Sequence, residues 1–193
     1  INRTILGSGV GLAFPFISQV NLYDSEFNHT LTPQISYSYR AKSVQGNIPI
    51  FDTTDKYDDI ITFSDLTSGE RYTGLDRVTN ANDFTLSISS KFRDVNALKG
   101  DSDLLNMSIA QSYYTDDEVV SDTANTNYET RRSFSDIAAS VGGAINNFSF
   151  SSSVQFDPDK SKIVKKENRL SYSSSSRKFI SLSFSDEGTK KTE

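Results

Sequence analysis

Thr30-Leu31-Thr32-Pro33-Gln34-Ile35-Ser36-Tyr37-Ser38-Tyr39-Arg40-Ala41 alternates without a break. In an extended chain Leu31, Pro33, Ile35, Tyr37, Tyr39 and Ala41 share one face, and Thr30, Thr32, Gln34, Ser36, Ser38 and Arg40 share the other. Period two marks a strand with one face in an apolar environment. The run is longer than the ~5–6 residues of an ordinary soluble strand and covers the ~9–11 that a tilted strand needs to cross a bilayer.

Working outward, the pattern recurs. Phe84, Leu86, Ile88 and Phe92 alternate with Thr85, Ser87, Ser89 and Lys91. Leu105, Met107, Ile109 and Tyr113 alternate with Asn106, Ser108, Ala110 and Ser112. Phe148, Phe150, Val154 and Phe156 alternate with Ser149, Ser151, Ser153 and Gln155, and Ile180, Leu182 and Phe184 with Ser181, Ser183 and Ser185. Weaker runs lie in 3–14, 131–142 and from Leu170. The apolar sets hold no charged residue, as a lipid-facing surface requires, because Arg or Lys there costs about 2–4 kcal/mol at the midplane. The polar sets are small and mostly uncharged, whereas the outer face of a soluble sandwich is usually richer in Lys and Glu. Gln111 falls on the apolar face of its run, which points to a bulge there or to a wrong register for the run.

The 193 residues carry 35% hydrophobic and 11% aromatic residues and a formal charge of −5, with a mean hydropathy of −0.47. No apolar run approaches the ~20 residues of a membrane helix, yet a β-barrel wall keeps average hydropathy low because only alternate residues meet lipid. The acidic balance excludes a nucleic-acid binder of the basic-patch type. Without Cys there is no disulfide or thiolate metal site within these residues. The chain starts at Ile1 and ends on Lys190-Lys191-Thr192-Glu193, which reads as an excised piece. The expected fold is all-β: a segment of a transmembrane antiparallel up-and-down β-barrel, about 8–9 strands, open and incomplete on its own.

Connections alternate long and short, as barrels with long extracellular loops and short periplasmic turns do. Residues 43–81 and 115–129 are long and 157–167 medium. Residues 143–147, with Asn146-Asn147, and 173–177 are tight. Residues 17–28 should be a short turn and look too long for one.

The richest connection runs from Gln45 to Lys91. It holds Asp52, Asp55, Asp58, Asp59, Asp65, Glu70, Arg71, Asp76 and Arg77, with Gly69 and Gly74 available for tight turns. One reading is a solvated acidic loop; the other is an ordered loop folded into the lumen, with Arg71 and Arg77 against carboxylates. Asp52, Asp55, Asp58 and Asp59 lack the glycine and terminal glutamate of an EF-hand loop, so no metal is expected. Paired loop carboxylates are not assigned to hydrolysis. His29, the single histidine, has no nucleophile-elbow pattern near it, so no catalytic residue, cofactor or metal site is expected. Arg131-Arg132 and Lys165-Lys166 read as surface charge at strand ends, or as contacts to phosphorylated headgroups.

At this connection the sequence resembles the C-terminal barrel of the LptD (OstA or Imp) lipopolysaccharide-assembly family. The carrying residues are Pro49-Ile50-Phe51-Asp52-Thr53, Phe63, Arg71-Tyr72-Thr73-Gly74-Leu75-Asp76-Arg77-Val78, Asn80-Ala81-Asn82 and Thr85-Leu86-Ser87-Ile88-Ser89-Ser90-Lys91, with Leu31–Tyr37 and Met107–Tyr114 as further matches. The family's aromatic-x-G-x-D-R pattern, an Ala-Asn pair and a Thr-containing strand sit here between two amphipathic strands. Asp83 follows Asn82 where the family often has Gln. The resemblance implies residues 1–193 as a partial C-terminal β-barrel domain with a large ordered loop at about 44–81, in the cell outer membrane. It implies a non-catalytic part in inserting lipopolysaccharide into the outer leaflet. Implied partners are lipopolysaccharide, an LptE-type lipoprotein plug, periplasmic lipopolysaccharide-bridge proteins and outer-membrane lipid. Asp52, Arg71, Gly74, Asp76, Arg77, Asn80 and Asn82 become candidates for loop or plug contacts. A porin-like channel is the alternative barrel, and a soluble β-sandwich binding module the alternative fold.

Overall fold

The computed structural model describes residues 4–22, 25–41, 49, 51, 60–70, 72–74, 76–96, 103–115, 118–123, 126–130, 133–175 and 178–187. Eleven strands and one short helix follow in order: β1 (Gly7–Ala13), β2 (Phe16–Leu22), β3 (Ser25–Arg40), α1 (Phe63–Ser68), β4 (Ala81–Asp94), β5 (Leu105–Tyr114), β6 (Glu118–Thr123), β7 (Thr126–Thr130), β8 (Ile137–Ile145), β9 (Phe148–Asp157), β10 (Lys162–Ser175) and β11 (Lys178–Glu187). Nine strands form one antiparallel sheet in the order β1-β3-β4-β5-β8-β9-β10-β11, with β2 also on β3; β6 and β7 pair as a separate hairpin. The sheet is an open up-and-down wall, as expected. Among the described residues no helix is long and apolar enough to cross a membrane.

β1 and β2 are two halves of one extended segment. Gly7↔Arg40 and Phe16↔Leu31 belong to the same register against β3. The interruption falls at Phe14-Pro15, opposite Pro33. Phe14 N–H still bonds the Pro33 carbonyl at 3.0 Å, but proline has no N–H to return the bond. This corrects the expectation of an overlong turn at 17–28: Phe16–Leu22 is strand, and the hairpin closes between Leu22 and Ser25.

Other boundaries also move. The connection at 115–129 contains β6 and β7. The medium connection at 157–167 shrinks to a turn, because β10 begins at Lys162; a register shift between Ile163 and Lys165 marks its start. Lys165 and Lys166 therefore lie within a strand, Lys165 on the inner face and buried, Lys166 outward with its Nζ 5.7 Å from the Phe184 ring centre. Asn146 adopts φ 54° at the tight β8–β9 turn. Arg131 and Arg132 lie outside the described residues.

Burial is inverted relative to a water-soluble protein. Leu86 (61% exposed), Ile88 (49%), Leu170 (51%) and Leu182 (68%) stand uncovered, while Thr85, Ser87, Ser112, Asp136, Gln155 and Asp157 are buried. Ile35 and Phe150 are also uncovered, so the apolar face has no second sheet against it and the sandwich alternative fails.

Aromatic pairs sit at both ends of the apolar face. His29 stacks on Phe92 (centroids 4.3 Å apart) and Phe148 meets Tyr172 at 4.8 Å, both toward the short turns. Tyr37 meets Phe84 at 4.8 Å and Tyr113 meets Phe134 at 5.2 Å, both toward the long connections. On β3 and β4 the two rows lie eight residues apart (His29 to Tyr37, Phe84 to Phe92). At a rise of about 3.3 Å per residue and a tilt of about 40° that is about 20 Å of depth, close to the ~25 Å apolar band between the aromatic girdles of an outer-membrane barrel.

Candidate functional site

The long connection after β3 returns over the inner face. Among its described residues is α1, too short to persist on helix propensity alone and fixed instead at both ends. Thr62 caps the start (φ −97°, ψ 165°), with a reciprocal box to Asp65: Thr62 N–H donates to Asp65 Oδ2 at 2.9 Å and Asp65 N–H to Thr62 Oγ1 at 3.2 Å. Gly69 ends the helix at φ 65°, its N–H on the Leu66 carbonyl. A Cβ on Gly69 would lie 2.9 Å from Ser38 Oγ, so this turn rests directly on β3.

Beneath α1 the inner face carries Ala110 of β5 and Ala138 of β8, which leave a depression. Ile61 (3% exposed) and Leu66 (4%) fill it, flanked by Phe63. Burying Leu66 contributes about 2 kcal/mol. The polar groups around this seat pair closely. Ile61 N–H donates to Gln155 Oε1 at 3.1 Å, and Gln155 Nε2 donates to Asp136 Oδ2 at 2.6 Å, both buried. Thr85 Oγ1 lies 2.7 Å from Ser112 Oγ and 3.4 Å from the Leu66 carbonyl. Ser112 N–H donates to Ser135 Oγ at 2.9 Å. At the base of the loop Arg40 donates to the Thr79 carbonyl at 3.3 Å and approaches Glu70 at 3.8 Å.

The sequence-derived candidates divide. Arg77 is 2% exposed and donates to the Asp76 carbonyl at 3.5 Å. Asp76 Oδ2 accepts the Phe51 N–H at 2.6 Å and so ties two distant arms of the loop together. Gly74 takes φ 75°, the left-handed turn its type allows. Asn80 is half-buried. Asn82 sits on the outward row: it pairs with Tyr39 across the ladder and accepts the Tyr37 hydroxyl at 2.9 Å. It therefore touches the aromatic rim. Asp52 and Arg71 lie outside the described residues. Sequence reasoning did not single out Arg40, Leu66, Thr85, Asp136 or Gln155 as site residues. The Thr62–Asp65 box and the Gly69 stop were the local signals for α1; the wall contacts had none.

Gln111 does face outward. The β4–β5 register passes through Leu86↔Gln111 unshifted, so the expected irregularity lies on the other side. There the ladder runs to Ala110↔Ala138 and resumes at Tyr113↔Phe134, one residue out of step. Gln111 Nε2 donates across the slip to the Ser135 carbonyl at 3.1 Å. His29 also faces outward, with Nε2 2.9 Å from Ser90 Oγ. Among the described residues no group of three His, Cys, Asp or Glu could hold a metal ion.

A wall that is apolar outside, hydroxyl-lined inside, edged by aromatic pairs and overlaid by an inward-folded loop is a segment of a transmembrane β-barrel. The model of the family described as LptD, LPS transport system D, matches residues 1–191, and the chain belongs to that family. It is similar to the LPS-assembly protein LptD of Shewanella frigidimarina (34% identical over 185 residues, 95% of this chain and 23% of that protein). It is also similar to those of Idiomarina loihiensis (29%, covering 95% and 23%) and Pseudoalteromonas translucida (25%, covering 94% and 23%). The chain thus spans about a quarter of the length of the curated relatives it matches.

Proposed function

We propose that residues 1–193 form part of a C-terminal β-barrel domain in the cell outer membrane, within a translocon that inserts lipopolysaccharide into the outer leaflet. The long-loop end faces outside and the short turns face the periplasm. The chain supplies wall and loop and performs no chemical step. The whole translocon would receive lipopolysaccharide from periplasmic bridge proteins and hold an LptE-type lipoprotein plug in its lumen. The observation that carries this reading is the inverted burial, with apolar rows toward lipid and a polar face over which a loop is folded, in a chain of this family.

Arg77 is the loop's most buried candidate. A cation held at that depth relies on its surroundings for neutralisation, so its removal should loosen the seat. In the full-length parent, Arg77→Ala is expected to raise outer-membrane permeability to bulky antibiotics and to reduce co-purification of the plug lipoprotein. Unchanged permeability together with unchanged co-purification would overturn the assignment.

A further inference from the structure

On the outward face the break at Phe14-Pro15 and the ladder slip beside Gln111 flank a groove of about 500 Å³. Pro33, Ile88 and Ile109 form one row of it, and Ile35, Leu86 and Gln111 the next row toward the long-loop end. Pro33 stands midway between the two aromatic rows, four residues from His29 and four from Tyr37. The groove therefore starts near mid-depth and climbs toward the long-loop rim, ending two residues short of Tyr113. Its lining is mostly apolar; Gln34 and Ser87 of the inward row also border it, and the Gln111 amide at the top is the one polar side chain of the outward row in it. That amide is half used: Nε2 donates to Ser135, and no group among the described residues donates to Oε1. A side-chain amide on a lipid-facing wall is costly unless its polar atoms find partners.

We infer that this groove holds one acyl chain of an outer-leaflet glycolipid whose linkage region carries a hydrogen-bond donor, an amide N–H or a chain hydroxyl, directed at Gln111 Oε1. The methylenes lie along Pro33, Ile88 and Ile109, and the polar linkage reaches the level of Gln111. A glycerol-ester phospholipid fills the same apolar volume but offers only carbonyl acceptors at that height. Gln111 Oε1 is an acceptor too and gains nothing from it. The assignment to the outer leaflet rests on the orientation proposed above.

The test places a photoreactive benzoylphenylalanine at Ile88, inside the groove, or at Phe184, at matching depth on the plain wall of β11, in the full-length parent in native outer membranes. Cross-linked lipids are then identified by mass spectrometry. The ratio of amide-linked or hydroxylated glycolipid to phospholipid is expected to be roughly fivefold higher at Ile88 than at Phe184, the factor that one hydrogen bond supplies. Gln111→Met, which keeps the apolar bulk and removes the acceptor, should bring the two ratios together. Equal ratios in the unsubstituted protein, or a ratio at Ile88 that Gln111→Met leaves unchanged, would overturn the inference while leaving the wall reading intact. Absence of lipid adducts at both positions would overturn both.

Discussion

The inner face behaves differently at its two ends. Over β4, β5, β8 and β9 the loop covers it, and Asp83, Thr85, Ser87, Ser112, Asp136 and Gln155 are buried. Over β10 and β11 the inward Arg169, Ser173, Ser181 and Ser183 remain exposed. The two regions share one alternation and one hydroxyl-rich composition. What separates them is the seat: Ala110 and Ala138 make room for Leu66 and Ile61, and Gln155 offers an amide that can accept from the loop while donating to Asp136. On the bare region polar groups pair along the wall, as between Ser171 and Ser181 (2.9 Å) and between Arg169 and Glu167 (3.4 Å). A barrel wall is thus made of one repeated pattern, and a small number of long-range pairings convert part of it into a docking surface for its own loop.

The largest expected effect separates the two faces. Ile88→Arg places a guanidinium near mid-depth on the lipid side and should destabilise the full-length barrel in lipid vesicles by about 2–4 kcal/mol, read by denaturant titration. Ser183→Arg, on the bare inner face, should change stability by less than about 0.5 kcal/mol, as a surface substitution does. Similar losses from the two substitutions would contradict the assignment of faces.

Next in size is the covered region. Gln155→Leu leaves the Ile61 N–H and the Asp136 carboxylate without their shared partner. A buried hydrogen bond to a charged group contributes about 1.5–3 kcal/mol, so the loop should open at least ten times more often and be cut correspondingly faster by limited proteolysis. Ser181→Ala, its counterpart on the bare region, should leave the cleavage rate within twofold. Global stability should move less than cleavage, because the opening is local.

These contrasts also show what a sequence of this kind reveals. Face assignment was legible wherever alternation was clean, as in 30–41 and 84–92, because the outward partner is bulk lipid and demands apolar atoms at every second position. It failed at Phe16–Leu22, where Ser18 falls outward and Ile17 inward and Pro15 mimics a turn signal. It failed again at Lys162–Glu167, where the charges crowd both faces and the register slips before Lys165. The Arg77 loop stood out through its charges and glycines, and Gly69 and Gly74 do take left-handed conformations. Which wall residues receive the loop was not legible: Ile61 and Gln155 meet across 94 positions, and nothing local distinguishes Gln155 from any other inward polar residue. Asn82, a motif residue, falls on the outward row and accepts the Tyr37 hydroxyl, a placement that the motif itself does not announce.

The smallest effect tests how the loop rests on β3. Gly69→Ala forces an L-residue into φ 65°, at a cost of about 1 kcal/mol, and brings its Cβ to within 2.9 Å of Ser38 Oγ. Both penalties should appear as faster proteolysis of the loop. Ser38→Ala in the same chain removes the hydroxyl and leaves Ser38's Cβ site at an acceptable 3.4 Å, so the double variant should recover the steric part and keep the backbone part. Full recovery would mean that Gly69 needs no left-handed backbone. No recovery would mean that the helix end does not sit against Ser38, and the covered region would then be held by the Gln155 and Leu66 contacts alone.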